Sequence, residues 1–333
     1  MLELTKKHID DNLSFLFDKK LLVCVSGGID SVVLFDLLNR MNFKLGVAHC
    51  NFKLRNKESD DDYLFVKNLC KSSSIPFYSK DFNIDTPKHS IQMSARKLRY
   101  DWFYELIELH NYDFILTAHH LNDSIETFFI NLTRSTGIDG LTGIKSINNK
   151  VIRPLIPFSK SQLKDYAKEN NILWREDSSN FKNDYLRNKI RNKILPIFKE
   201  IDSDFAINFS KTINRLSESS LILKKHAENF KSTNFQIIND EILILKKVLK
   251  NLSSVMIFNL FVDYGFKNTD QIIRLCSAET GKIINSNSYS ILSNRTHLII
   301  KKNIENIELE YFYNSESDFL FPDNIKVTHG NFV

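Results

Sequence analysis

The chain is predicted to fold as a doubly wound, mostly parallel α/β sheet, followed by a smaller, largely helical domain that ends in β structure. Three observations carry this expectation. Apolar runs at residues 21–25, 44–49, 76–82 and 113–118 read as buried strands. Helical patterns near residues 29–40, 57–73, 90–110 and 121–134 lie between and after them. Such alternation argues for parallel strands with helices on both faces. From about residue 200 the pattern changes: 203–230 and 241–277 look helical, and Gly281 opens a β-like region with runs at 282–284 and 297–301. The domains are therefore placed at 1–200 and 201–333.

Composition bounds the function. With 333 residues, 42% hydrophobic and 26% charged, the chain has the balance of a globular protein able to bury substantial cores. Its net charge of +5 is modest, so a nucleic-acid surface has to come from local clustering. Four cysteines (Cys24, Cys50, Cys70, Cys276) show no C-x-x-C pair and read as reduced thiols of a cytoplasmic protein. The charged N-terminus has no secretory apolar core, and no run reaches the length of a membrane span.

The first strand runs into Ser26-Gly27-Gly28-Ile29-Asp30-Ser31, and the apolar stretch 32–38 continues as a helix. A helix N-terminus reached through glycines is a ready anion site, because its free N–H groups point at the ligand. Ser26 and Ser31 add hydroxyls. The G-x-x-x-x-G-K-[ST] lysine is missing, and so is the spaced G-x-G-x-x-G turn. Asp30 sets a carboxylate beside the phosphates, where Mg²⁺ bridging them makes sense. This loop resembles that of the N-type ATP pyrophosphatase (PP-loop) superfamily, whose members share an adenine nucleotide α-hydrolase-like fold. The resemblance implies ATP cleaved to AMP and pyrophosphate, with residues 26–31 gripping the pyrophosphate.

The strand at 113–118 leads into Thr117-Ala118-His119-His120-Leu121-Asn122-Asp123-Ser124-Ile125-Glu126-Thr127. Helical spacing brings His119, Asp123 and Glu126 towards one face. Alone, these residues equally describe a helix cap with solvated charges, and no cysteine cluster completes a zinc site. Further on, Leu132 to Gly143 carries Gly137, Gly140 and Gly143; with Gly27 and Gly28 these are five of only nine glycines. Such concentration favours loops approached closely by a ligand or another backbone.

With these segments the resemblance narrows to the bacterial tRNA(Ile)-lysidine synthetases. The family's T-A-H-H-x-x-D-x-x-E-T appears at Thr117 to Thr127, and L-x-R-G-T-G-x-D-G-L-x-G at Leu132 to Gly143, with Ser135 for one glycine. Asn122-Asp123-Ser124 stands for the common Asp-Asp-Gln, the important carboxylate being retained as Asp123. His49 to Arg55, followed by Glu58-Ser59-Asp60, resembles H-x-x-H-x-L-R…E-S-D without the second histidine. Arg55 stays a candidate contact to phosphate or RNA, and the acidic run 58–62 reads as a helix start rather than a metal site. Ala95 to Phe103 matches A-x-x-x-R-Y-x-W-F; the resemblance puts Arg99 on the ATP phosphates, while Tyr100, Trp102 and Phe103 read as core. Arg153-Pro154-Leu155 matches an R-P-L junction, and Asp177 to Asn180 with Arg187 to Pro196 matches D-x-S-N…R-N-x-I-R-x-x-x-L-P.

Between residues 182 and 200 six basic residues face Asp184 and Glu200. As a bare charge run this is a solvated face; beside an ATP site, Arg187, Lys189, Arg191 and Lys193 read as tRNA contacts. The resemblance covers 20–200 well. After that it implies a C-terminal tRNA-binding domain, the further domain of longer members being too large for this chain.

The implied reaction joins lysine to C2 of the wobble cytidine in the CAU anticodon of tRNA(Ile), using ATP and Mg²⁺. The cytidine C2 oxygen attacks the α-phosphorus, and the ε-amine of free L-lysine then expels AMP. Asp30, His119, Asp123 and Glu126 are the candidate catalytic residues; Ser26, Gly27, Gly28, Ile29, Asp30, Ser31, Arg99 and His119 the candidate ATP ligands. Which residue acts as base is not readable from sequence. A homodimer stays open. Among rivals, a thiolase would need paired cysteines, a non-catalytic RNA binder would release no AMP, and an amidating or NAD-forming enzyme would dispense with the basic helix.

Overall fold

The computed structural model describes residues 1–53, 57–82, 91–176 and 186–303. After helix α1 (Leu2–Asn12) come β1 (Lys20–Cys24), α2 (Ile29–Arg40), β2 (Lys44–Asn51), α3 (Lys57–Ser72), β3 (Phe77–Asp81), α4 (Ile91–Leu109), β4 (Phe114–Leu116) and α5 (Leu121–Leu132). Two short strands, β5 (Ile147–Asn148) and β6 (Val151–Ile152), precede α6 (Lys160–Glu169), α7 (Leu186–Lys189) and α8 (Leu195–Ile201).

The six strands run in the order β3-β2-β1-β4-β6-β5, parallel except for the β5–β6 hairpin. Their apolar runs are long because the sheet is buried on both sides. Alternate residues of β1 point to opposite cores: Leu21 and Val23 to one formed with α1, α2, α3 and α6, Leu22 to another formed with α4. Trp102 and Phe103 lie in that second core, as expected. Gly46 of β2 is fixed by packing, since a Cβ there would sit 2.0 Å from the Tyr112 hydroxyl. The chain steps outward from β1 through β2 to β3, then returns to β4 on the other side of β1. That reversal opens a crevice outside the carboxyl ends of β1 and β4, the place where such sheets bind ligands.

From α9 (Phe205–Asn234) onward the described chain forms β7 (Phe235–Ile238), β8 (Glu241–Leu245), α10 (Lys246–Leu249), α11 (Ser254–Phe261), α12 (Thr269–Cys276), β9 (Ile283–Asn285), β10 (Tyr289–Ser293) and β11 (His297–Lys302). The chain divides into two compact units between Ser220 and Leu221, inside α9, where the sequence placed the division near residue 200. In the second unit five antiparallel strands run β7-β8-β11-β10-β9, with Ile244, Ile291, Leu298 and Ile300 packed against Ile257, Leu260, Phe261 and Ile272. One expectation is corrected here. Residues 241–245, expected as helix, are strand β8, because Asn239 and Asp240 both take positive φ (50° and 62°) and turn β7 back in a tight hairpin.

Candidate active site

The cleft lies where the fold predicts it. Residues Val25, Ser26, Gly28, Asp30, Ser31, Arg96, Arg99, Thr117, His119 and Asp123 are among those lining a cavity of about 300 Å³. On one side is the glycine loop. Gly27 has φ +94°, a conformation that only glycine adopts freely, and Gly28 caps α2. The loop is braced from within: Ser31 Oγ donates to the Gly28 carbonyl at 2.8 Å and accepts from the Ser26 N–H at 3.1 Å. It is braced from outside by Arg175, whose N–H donates to the Gly27 carbonyl at 2.9 Å while its guanidinium pairs with Asp61 and Asp62 of α3. The acidic run thus opens α3 with Glu58 and Asp60 in the first turn, and its later members hold Arg175.

Asp30, in the first turn of α2, has partners the sequence did not reveal. Lys160 Nζ lies 2.5 and 2.6 Å from its two carboxylate oxygens, and His120 Nε2 is 3.7 Å from Oδ2. Burial pushes the Asp30 pKa up, but the neighbouring His120 ring and the Lys160 ammonium outweigh it and hold the carboxyl below its ordinary value. Lys160 stands there because α6 starts beside α5: its N–H donates to Asn122 Oδ1 at 2.8 Å, and the Leu121 N–H donates to the Phe158 carbonyl at 2.9 Å.

On the opposite side, His119 Nδ1 is 2.9 Å from Thr117 Oγ1. Burial lowers its pKa to about 4, helped by Arg153, Arg187 and Arg96 and opposed by Asp123, so the imidazole is neutral near pH 7. Asp123 caps α5 by accepting the His120 N–H at 3.0 Å. Glu126 is 1% exposed and carries two guanidiniums, with Arg187 Nε and Arg191 Nε each at 2.6 Å. Arg187 also reaches Asp123 at 3.3 Å.

The basic segment therefore splits. Arg187 and Arg191, four apart, turn to the carboxylates of α5, while Lys189 and Lys193 are exposed. A π turn over Ile190–Ile194 sits between α7 and α8, where Pro196 has no N–H to offer the carbonyl four residues back.

Of the residues singled out by sequence, Ser26, Gly28, Asp30, Ser31, Arg99, His119 and Asp123 come together on the cleft. Glu126 lies beneath Arg187 and Arg191. The Arg99 guanidinium rests 5.4 Å from the Phe52 ring centroid. Arg55 and Asp177 to Asn180 lie outside the described residues. Lys160, His120 and Arg175 were missed; for His120 the adjacent motif was a signal, but for the other two only the tertiary structure identifies the partner.

Residues 2–198 match the PP-loop domain family and residues 226–304 the TilS substrate binding domain. A tRNA(Ile)-lysidine synthase of Bacteroides thetaiotaomicron is 34% identical over 303 residues, covering 89% of this chain and 70% of that protein. One from Petrotoga mobilis is 33% identical over 310 residues, covering 89% of this chain and 96% of the relative. One from Porphyromonas gingivalis is 33% identical, and the chain spans 63% of its length. Among solved structures, a U34-tRNA thiolase from Methanococcus maripaludis superposes with a TM-score of 0.54 at 17% identity, over 65% of this chain and 80% of that one. That likeness shows the fold alone.

Proposed function

The chain belongs to the tRNA(Ile)-lysidine synthase family, a PP-loop ligase that forms lysidine on tRNA(Ile), and from that membership we propose how its own residues divide the work. The observation that carries the reading is that Asp30, beside the glycine loop, and Asp123, on α5, line one cleft. One carboxylate serves the nucleotide and the other the amine.

The N–H groups at the start of α2 and the Ser26 and Ser31 hydroxyls grip the pyrophosphate of ATP, with Gly27, Gly28 and Ile29 shaping the loop. Arg99 and Arg96 supply guanidinium forks to phosphate oxygens. The donor set at Asp30 fits a Mg²⁺ ion held mostly by phosphates. It offers one carboxylate, and among the described residues no group of three or more His, Cys, Asp or Glu makes an all-protein cage. Such an ion, held there by Asp30, would draw off phosphate charge. Lys160 neutralises Asp30 until then, and can meet the triphosphate when the carboxylate takes another cation.

The C2 oxygen of the anticodon cytidine attacks the α-phosphorus; the P–O bond to pyrophosphate breaks, leaving an adenylated base. The ε-amine of free L-lysine then attacks C2, the C–O bond breaks with AMP as leaving group, and the amine gives up its protons. Asp123 and Glu126 hold the incoming ammonium and accept a proton, displacing Arg187 or Arg191 from their ion pairs. His119, neutral at pH 7, faces the nucleotide or activated base as a hydrogen-bonding group. Lys189, Lys193 and Arg55 contact the tRNA backbone, and the second unit holds the rest of the tRNA. The reaction takes place in the cytoplasm, where tRNA is modified; among the described residues no helix is long and apolar enough to cross a membrane.

The test is transfer of radiolabelled lysine to total bacterial tRNA, with AMP release followed in parallel. Lysine in tRNA that needs ATP and disappears in Asp30→Ala supports the reading. AMP without lysine transfer moves the nucleophile elsewhere, and tight tRNA binding with neither product leaves a binding protein.

A further inference from the structure

His120 is not among the residues given a chemical role above, yet it touches both halves of the site. Its Nε2 lies 3.7 Å from Asp30 Oδ2 and 3.5 Å from Asp123 Oδ2. Among the described residues it is the side chain that reaches both carboxylates. It is 4% exposed, and its Nδ1 is buried without a hydrogen-bond partner. With no acceptor beside Nδ1, the ring N–H that finds partners is the one on Nε2, between the two acids. Both distances are longer than a formed hydrogen bond, so the one N–H is shared, and a few tenths of an ångström would commit it to either side.

We propose that His120 is the positioning residue that couples the nucleotide and amine halves of the site, giving its Nε2–H to whichever of Asp30 and Asp123 lacks a cation. Two carboxylates on facing helix starts repel one another unless each is compensated. In this structure Lys160 compensates Asp30 and Arg187 compensates Asp123. During the reaction both leave: the triphosphate competes for Lys160, and the incoming amine displaces the arginine. A donor held between the acids keeps each aimed into the cleft through these exchanges.

The backbone is held apart from the ring. The His120 N–H is bonded to Asp123, the Leu121 N–H to Phe158, and Asn122 to Lys160. None of these three bonds uses the ring, which itself faces the Asp123 N–H in the capping box of α5. This coupling rests on the reading that both acids serve one reaction, and the experiment separates the two.

The experiment compares H120Q, which keeps an N–H near the Nε2 position, with H120L and H120F, which fill volume without a donor. Lysine transfer, ATP affinity by calorimetry and melting temperature are read on each full-length protein. H120Q is expected within about 5-fold of wild type, and the two apolar variants to lose about 100-fold in kcat/KM for lysine and about 10-fold in ATP affinity. Equal losses in all three variants, or an apolar variant with wild-type transfer and ATP affinity, overturn the proposal. If an apolar variant melts early, the other is compared with H120Q at matched folded fraction. If wild-type protein transfers no lysine, the function reading falls, and ATP affinity alone decides His120.

Discussion

Lys160 places its ammonium 2.5 and 2.6 Å from the two carboxylate oxygens of Asp30, across 130 residues of sequence. The pair joins the first turn of α6 to the first turn of α2, and its Asp30 lines the cleft. An uncompensated carboxylate there would repel a triphosphate. Lys160→Met is therefore expected to weaken ATP binding about tenfold or more, a loss of about 1.4 kcal/mol or more. Side chains 32% and 30% exposed stabilise the fold little, so the melting temperature should shift by about 3 °C or less. Isothermal calorimetry and a thermal melt check both halves; unchanged ATP affinity would remove Lys160 from the site.

Glu126 gives a stability prediction of opposite character. It is 1% exposed and holds Arg187 and Arg191, which are themselves 40% and 37% exposed. Removing both arginines strands a buried carboxylate, at a cost of about 3–5 kcal/mol. Glu126→Gln leaves two guanidiniums that can turn to water, and should cost about 1–2 kcal/mol. Differential scanning calorimetry should rank the double Arg187→Ala, Arg191→Ala variant well below Glu126→Gln. The reverse order would mean that the arginines, not the acid, are the strained partners.

The sheet and the glycine loop were legible because each rests on local chemistry. Strands buried on both faces read as unbroken apolar runs, and a helix start needs its glycines and hydroxyls beside it in sequence. The partners of Asp30 were not legible. Lys160 reads as an ordinary first-turn lysine after Ser159, and only the return of the chain past β1 puts it on Asp30. Arg175 likewise finds Asp61, Asp62 and Gly27 through tertiary structure alone. The direction of Arg187 and Arg191 was hidden too, since a basic run does not say which of its charges turn inward. β8 was missed because Glu241 to Lys250 carries apolar residues at both strand and helix spacing, and the Asn239–Asp240 turn decides the matter.

His119 predicts a pH dependence. Burial lowers its folded pKa to about 4 from an ordinary 6.5, so between these values the unfolded chain binds a proton that the folded protein does not. Stability therefore rises with pH across this window and is lost as pH falls from about 6.5 towards 4, by up to about 3 kcal/mol. His119→Asn should flatten that slope in urea melts between pH 4.5 and 7. If the slope survives, another group sets it.

Gly27 separates loop geometry from loop space. At φ +94° its hypothetical Cβ has no neighbour nearer than 3.6 Å, so the obstacle to a side chain is conformational rather than steric. Gly27→Ala should cost about 1–2 kcal/mol or force the loop into another shape, and ATP affinity should fall with it. Gly28→Ala, at φ −73°, should fold normally. Equal ATP affinity in the two variants would show that the loop tolerates either shape.

The split of the basic segment gives the sharpest separation of binding from chemistry. Lys189 and Lys193 are exposed, whereas Arg187 and Arg191 are engaged with Asp123 and Glu126. A lysine on phosphate contributes through counterion release, so Lys189→Ala and Lys193→Ala should each weaken tRNA binding at low salt and reduce the salt slope by about one. Lysine transfer at saturating tRNA should survive both changes. Arg187→Ala should behave the other way: it alters the charge balance at the amine-facing acids, so transfer falls while the salt slope barely moves. Filter binding of tRNA across a salt series, paired with transfer assays, distinguishes the two classes. A reduced slope in Arg187→Ala would place that guanidinium on tRNA phosphate in the complex, its ion pair with Glu126 belonging only to the free protein.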